Sequence, residues 1–206
     1  MLEKIDNTRD RILEAAHRRF FVEGFARVSI DEITTDLSMS KKTFYRHFPG
    51  KDDLVRQIME RFLNHVSGNL EKILNAPDPF PQKLDNLARF IGTQFRVINK
   101  PMLGDIQKHM PQLWNHIEAF RRERITTLWT GLIEEGKRNG SVRPDVQTRI
   151  FILAVIAALD GVVNPAVLVN ESCSADEALR EIINMFFQGV LTGNALREYR
   201  LIHQAQ

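Results

Sequence analysis

The 206-residue sequence contains one cysteine, Cys173. A single thiol cannot close an internal disulfide or build a cysteine-based zinc or iron–sulfur centre, and no metal site is expected. The opening stretch, MLEKIDNTRDR, has no apolar core of the kind a secretory signal needs, which predicts a cytoplasmic chain. Long hydrophobic runs are also missing. The nearest is residues 150–169, IFILAVIAALDGVVNPAVLV, where Asp160 ends the uninterrupted apolar stretch well short of the ~20 residues that cross a bilayer. A helix apolar on every side reads instead as one buried on every side, and no membrane partner is expected. The phosphate-binding loop, the dinucleotide fingerprint, the zinc-protease helix and the serine-hydrolase elbow are all absent, so neither a cofactor nor an enzyme is expected.

With 43% apolar and 26% charged residues, the composition excludes wholesale disorder. The net charge is only +2, and it is unevenly placed. Residues 1–51 carry ten Lys/Arg against eight Asp/Glu, while residues 52–206 carry eighteen of each. Within 38–51, SMSKKTFYRHFPGK, there are four cations and no acid.

Almost every segment repeats its apolar residues at helical spacing and none alternates as a strand would, so the expected fold is all-α with about nine helices. A first helix runs from about Thr8 to Glu23, with Ile12, Ala16 and Phe20 on one stripe and Gly24 as its stop. Ser29-x-x-Glu32 is a capping box that opens a second, and Ser40 is the N-cap of a third that ends near Phe48-Pro49. A fourth covers 51–74. The proline-rich stretch 75–81 is the clearest break in the chain. Beyond it come helices over about 84–98, 102–110, 112–139 and 146–164, and one opened by a second capping box, Ser174-x-x-Glu177. The expected domains are a three-helix head over 1–50, a connecting helix over 51–74, and a helical body over 75–206.

The stretch 29–48 is two short helices around a three-residue turn, the dimensions of a helix-turn-helix. On a helical wheel Phe44 and Phe48 share one side of the second helix, and Lys42 and Arg46 lie opposite. Thr43 and Tyr45 flank these cations, and His47 sits near the edge. Such a face can read guanine edges through its cations and hold phosphates through its hydroxyls and imidazole. The candidate DNA contacts are therefore Ser29, Ser40, Lys41, Lys42, Thr43, Tyr45, Arg46 and His47. Lys51, at the start of the fourth helix, is a further phosphate contact.

The same residues carry a resemblance. The strings Ile12-Leu-Glu-Ala-Ala16, Glu23-Gly24-Phe25, Val28-Ser29-Ile30 and Ser40-Lys-x-Thr43-Phe44-Tyr45-x-His47-Phe48, with Lys51-x-x-Leu54 after them, resemble the DNA-binding domain of the tetracycline-repressor (TetR) family of bacterial regulators. The resemblance implies a homodimer that grips a palindromic operator in double-stranded DNA, with a C-terminal domain that senses a small-molecule effector. It implies transcriptional regulation, most simply repression relieved by that effector. A non-sensing or activating regulator, and a helical adaptor for protein contacts, stay open as alternatives. Two positions depart from the family's habit: Ser38 and Lys42 stand where glycine is frequent. A serine that must take positive φ there costs more than glycine would.

For the body, the apolar stripe Leu179, Ile182, Ile183, Phe186, Phe187 and Val190 is the expected subunit interface, together with the helix over 146–164. Candidates for an effector cavity are Phe95, Met102, His109, Met110, Trp114, Phe120 and Trp129. Asp160, inside the most apolar helix, either bonds locally or meets a cationic ligand or a partner chain.

Overall fold

The computed structural model describes residues 7–97, 100–162 and 174–204. These form ten helices and, among the described residues, no strand. They are α1 (Asn7–Glu23), α2 (Ile30–Asp36), α3 (Lys41–Tyr45), α4 (Lys51–Asn75), α5 (Phe80–Val97), α6 (Lys100–His109), α7 (Pro111–Arg138), α8 (Thr148–Val162), α9 (Ala175–Val190) and α10 (Gly193–Gln204). The helix α10 is additional to those expected from the periodicity. The remainder of the expected 146–164 helix, past Val162, lies outside the described residues.

The chain divides into two compact units. The first comprises residues 1–65 with 97–117, and so joins α6 and the start of α7 to the head. Its core is built from one face of each helix: Ile12, Ala16 and Phe20 of α1, Ile33 of α2, Phe44 of α3, and Leu54, Val55 and Ile58 of α4 are all buried. Full burial of each such side chain contributes about 1.5–3 kcal/mol. Against α1 packs α6, which buries Met102 and Ile106.

The turn after α1 explains how α6 belongs to this unit. Gly24 takes φ +84°, a left-handed conformation that stops the helix. The Asp105 carboxylate of α6 then accepts a hydrogen bond from the Ala26 backbone amide at 2.8 Å. A Cβ at Gly24 would lie 2.5 Å from an Asp105 carboxylate oxygen, so glycine is required both by φ and by this close approach. That link spans 79 residues of sequence, and no local pattern announces it.

The second unit comprises residues 66–96 with 118–206. Its core gathers Phe80, Leu84 and Leu87 of α5, Leu128, Trp129 and Leu132 of α7, Phe151 and Val155 of α8, Leu179, Ile183 and Phe187 of α9, and Tyr199 of α10. The Trp129 ring lies 5.5 Å from both Phe151 and Phe187. The turn after α7 is tied to the end of α9 by an isolated bridge, with Arg143 N–H donating to Val190 O at 2.9 Å and Thr192 N–H to Ser141 O at 2.8 Å. Lys83, almost fully buried, ties the proline-rich stretch down: its ammonium donates to Leu74 O at 2.9 Å and to Glu135 at 2.8 Å.

Candidate nucleic-acid interface

Both ends of α2 are fastened by its own sequence. The Ser29 hydroxyl accepts from Glu32 N–H, and the Glu32 carboxylate accepts from Ser29 N–H at 2.7 Å. These hydrogen bonds hold the Glu32 carboxyl below its usual range. At the other end, Met39 N–H donates to Thr34 O at 2.9 Å and Ser38 N–H to Thr35 O at 3.0 Å, the paired bonds of a Schellman stop. That stop requires positive φ at Ser38, which takes +51°. The turn therefore imposes on serine the conformation for which glycine is suited.

After the turn, Ser40 caps α3, its hydroxyl accepting from Thr43 N–H at 3.1 Å and lying 3.0 Å from the Thr43 hydroxyl. The regular helix is only five residues long, but Phe48 N–H still bonds Phe44 O at 3.0 Å, so the helical register continues to Phe48. Phe44 and Phe48 are completely buried. On the opposite side Lys42 and Arg46 are exposed, and neither makes an ion pair among the described residues. Tyr45 is exposed between them, and Thr43 and His47 are half-buried.

The remaining candidate cations are engaged. Lys41 pairs with Asp31 at 2.7 Å, and the hydrogen bond and charge of that carboxylate raise the ammonium pKa. Lys51 turns inward: its ammonium donates to Phe25 O at 3.0 Å and Val28 O at 3.1 Å, over the Phe25 ring. In this arrangement Lys51 closes the α1–α2 loop, a structural task that its place in the motif does not disclose. Two arginines outside the motif brace the helix-turn-helix. Arg9 lies over the Phe48 ring and bonds Gln57, whose amide donates to Asp53 at 2.7 Å. Arg19 joins α1 to α2 through Asp36 at 2.6 Å.

The cavity candidates are divided between the two units. Met102 and Met110 are buried in the first unit, Trp114 is half-buried there, and His109 is exposed with its ring edge-on to Phe25. In the second unit Trp129 is core, and Phe120 is half-buried beneath the Arg124 guanidinium, 5.2 Å from its centroid. Asp160 pairs with Arg121 and, at 2.9 Å, with Arg122. The Phe95 side chain lies outside the described residues. Of the interface candidates, Leu179, Ile183, Phe187 and Val190 are occupied by the chain's own core, Ile182 is buried, and Phe186 is half-buried against that core.

Two short helices set by a Schellman turn, with an acid-free cationic face over a buried aromatic pair, define a helix-turn-helix DNA-binding protein. Residues 12–58 match the family model described as bacterial regulatory proteins, tetR family. The match covers the helix-turn-helix head, and the curated relatives of the chain are named as transcriptional regulators. The chain is similar to the uncharacterized HTH-type transcriptional regulator YvaF of Bacillus subtilis, 23% identical over 185 residues that cover 87% of this chain and 94% of the relative. It is also similar to the HTH-type transcriptional repressor KstR2 of Mycolicibacterium smegmatis, 25% identical over 67% of this chain and 69% of the relative. Among solved structures, a TetR transcriptional regulator from Chloroflexus aurantiacus shares the fold with a TM-score of 0.68 at 20% identity, covering 93% of this chain and all of that one. A putative transcriptional regulator from Saccharomonospora viridis, in complex with choline, does so at 0.71 and 22% identity, covering 90% of this chain and 98% of that one. No described helix is long and apolar enough to cross a membrane.

Proposed function

We propose that the chain is a ligand-responsive repressor that binds a palindromic operator as a homodimer. The observation that carries this reading is the exposed face of α3, where Lys42, Tyr45 and Arg46 project from the side opposite Phe44 and Phe48. Arg46 and Lys42 supply the donors for base edges or phosphates, and Ser40, Thr43 and His47 border them. Repression is supported by the similarity to a relative named a repressor, and a small-molecule effector by the choline-bound regulator of the same fold.

The dimer reading rests on α8. Its inward stripe is Phe151, Ile152 and Val155, and its outward stripe is Ile150, Leu153, Ala154, Ala157 and Gly161, all exposed in the single chain. The outward residues follow the i, i+3, i+4, i+7 spacing of a helix-packing seam. Small residues between the larger ones let a second helix approach closely. With Met185 exposed on α9, this face suits a second copy of the chain. A two-fold pair would present two copies of α3 to half-sites about 34–36 Å apart.

In this reading the effector shifts the population between operator-competent and operator-incompetent dimers, through unequal affinity for the two. The experiment is selection of duplexes from a random pool, followed by binding of the enriched sequence in excess random competitor. A palindromic sequence that survives competition is expected. Enrichment of none, or binding abolished by random DNA, contradicts the reading. Leu153→Glu is expected to yield a monomer by sedimentation and to lose operator binding with it.

A further inference from the structure

The loop between α1 and α2, residues 24–29, has its backbone fixed along its length. Gly24 opens it at φ +84°, and the Asp105 carboxylate accepts the Ala26 amide hydrogen at 2.8 Å. The Lys51 ammonium donates to Phe25 O at 3.0 Å and to Val28 O at 3.1 Å, and so gathers the carbonyls on either side of Ala26 and Arg27. The Phe25 and Val28 side chains are buried, and Ala26 and Arg27 face outward.

Arg27 makes no ion pair or side-chain hydrogen bond among the described residues. The acids near it in the chain are engaged elsewhere. Glu23 pairs with Arg19 at 3.3 Å, Asp31 with Lys41 at 2.7 Å, and Glu32 closes the capping box of α2. The loop therefore presents a guanidinium on a rigid backbone with no acid to answer it.

An exposed arginine is ordinarily just solvated, and its place is what distinguishes this one. Lys51 is the first residue of α4 and directly follows Phe48, Pro49 and Gly50 at the end of the recognition segment. Its two bonds set the loop against the junction of α3 and α4. Arg27 also precedes Ser29, the N-cap of α2. In a helix-turn-helix the first helix crosses the sugar–phosphate backbone while the second enters the groove. A loop that leads into the first helix and is held at the end of the second lies beside the strand that borders the groove.

We propose that Arg27 is a DNA-backbone contact, its guanidinium binding a phosphate at the edge of the half-site read by α3, and that Lys51 positions it. Lys51, with its ammonium on two carbonyls, acts through the loop. The assignment rests on the reading of the α3 face as a DNA surface. A phosphate contact carries no sequence information of its own, so it strengthens operator and random DNA alike.

The test is fluorescence anisotropy of the full chain, over a range of salt, on the duplex enriched by selection and on a scrambled duplex of the same length. Arg27→Ala is expected to keep the wild-type Tm and to weaken both duplexes by a similar factor. The slope of log K against log salt should become shallower by about 0.9 for each Arg27 in the complex, or about 1.8 for a dimer. Arg27→Lys should restore most of that slope, because a phosphate can be held by a point charge without the planar fork. In a double-mutant cycle measured below the lower Tm, Lys51→Met and Arg27→Ala should be clearly less than additive in log K.

The assignment of Arg27 is overturned if Arg27→Ala leaves affinity and slope unchanged, if it weakens the operator alone, or if Arg27→Lys is as impaired as Arg27→Ala. Additive losses in the cycle overturn the positioning role of Lys51. The α3 reading fails on a different result, wild-type binding by Lys42→Ala/Arg46→Ala. Loss in that variant with none in Arg27→Ala removes Arg27 alone.

Discussion

On α3, Lys42 and Arg46 stand exposed with no ion pair among the described residues, whereas on α7 Arg121 and Arg122 both reach Asp160, and Arg121 also reaches Glu118 at 2.8 Å. Lys83, Arg89, Arg124 and Lys137 in the second unit are likewise matched to acids. Cations therefore occur in both units, and in the second Lys83, Arg121, Arg122 and Arg124 join one helix to another. On α3 one cation, Lys41, is taken by Asp31 of α2, and no acid within residues 38–51 competes for Lys42 or Arg46. A net charge of +2 cannot distinguish these situations; pairing does.

The contrast can be pressed by substitution. The largest effect belongs to the second unit's core: Trp129→Ala is expected to cost about 3–5 kcal/mol in denaturant unfolding, because the ring is almost fully buried between Phe151 and Phe187. Lys42→Ala, by contrast, should leave stability within about 0.5 kcal/mol. A destabilisation by Lys42→Ala as large as that by Trp129→Ala would mean that α3's outer face is structural. Next comes Gly24→Ala, expected to destabilise the first unit by about 2 kcal/mol or more through positive φ and the close approach of Asp105.

A smaller effect tests the pairing itself. Asp160→Ala frees two arginines and should cost about 1 kcal/mol of stability, Asp160 and Arg121 being roughly a third exposed and Arg122 more than half. Operator affinity should not change. If it rises, loose cations anywhere on the chain would suffice for DNA binding, and the distinction between the two regions would fail. The smallest effect is a gain: Ser38→Gly should stabilise the chain by about 0.5–1 kcal/mol, since serine holds φ +51° there. No change in the unfolding midpoint would show that the turn carries no such strain.

The head is the legible part of the sequence because its signals are local. Capping at Ser29 and Ser40, the stop at Gly24, positive φ at Ser38 and the inward Phe44/Phe48 pair all depend on residues within a few positions of one another. Lys51 shows where locality misleads. Its motif position suggests a phosphate contact, but two carbonyls more than twenty residues away in the chain hold its ammonium. The Ala26–Asp105 bond that fastens α6 to the head is invisible in the sequence for the same reason. In the body, a helix apolar all round gives no wheel face to choose from. The outward seam of α8 is visible only once Phe151, Ile152 and Val155 are seen to face inward. The stripe of α9 is an apolar face in sequence and structure alike, yet a periodicity cannot say whether that face meets its own chain or another. Most of it meets its own.

The proposed DNA recognition by the outer face of α3 is tested most directly by fluorescence anisotropy of the Lys42→Ala/Arg46→Ala double variant on the selected operator and on a scrambled duplex, across a range of salt. The expected result is wild-type stability, an operator affinity lower by about 1–3 kcal/mol for each base edge no longer bound, and a shallower salt dependence. Unchanged affinity for both duplexes, with an unchanged salt slope, would contradict the assignment of this face to DNA.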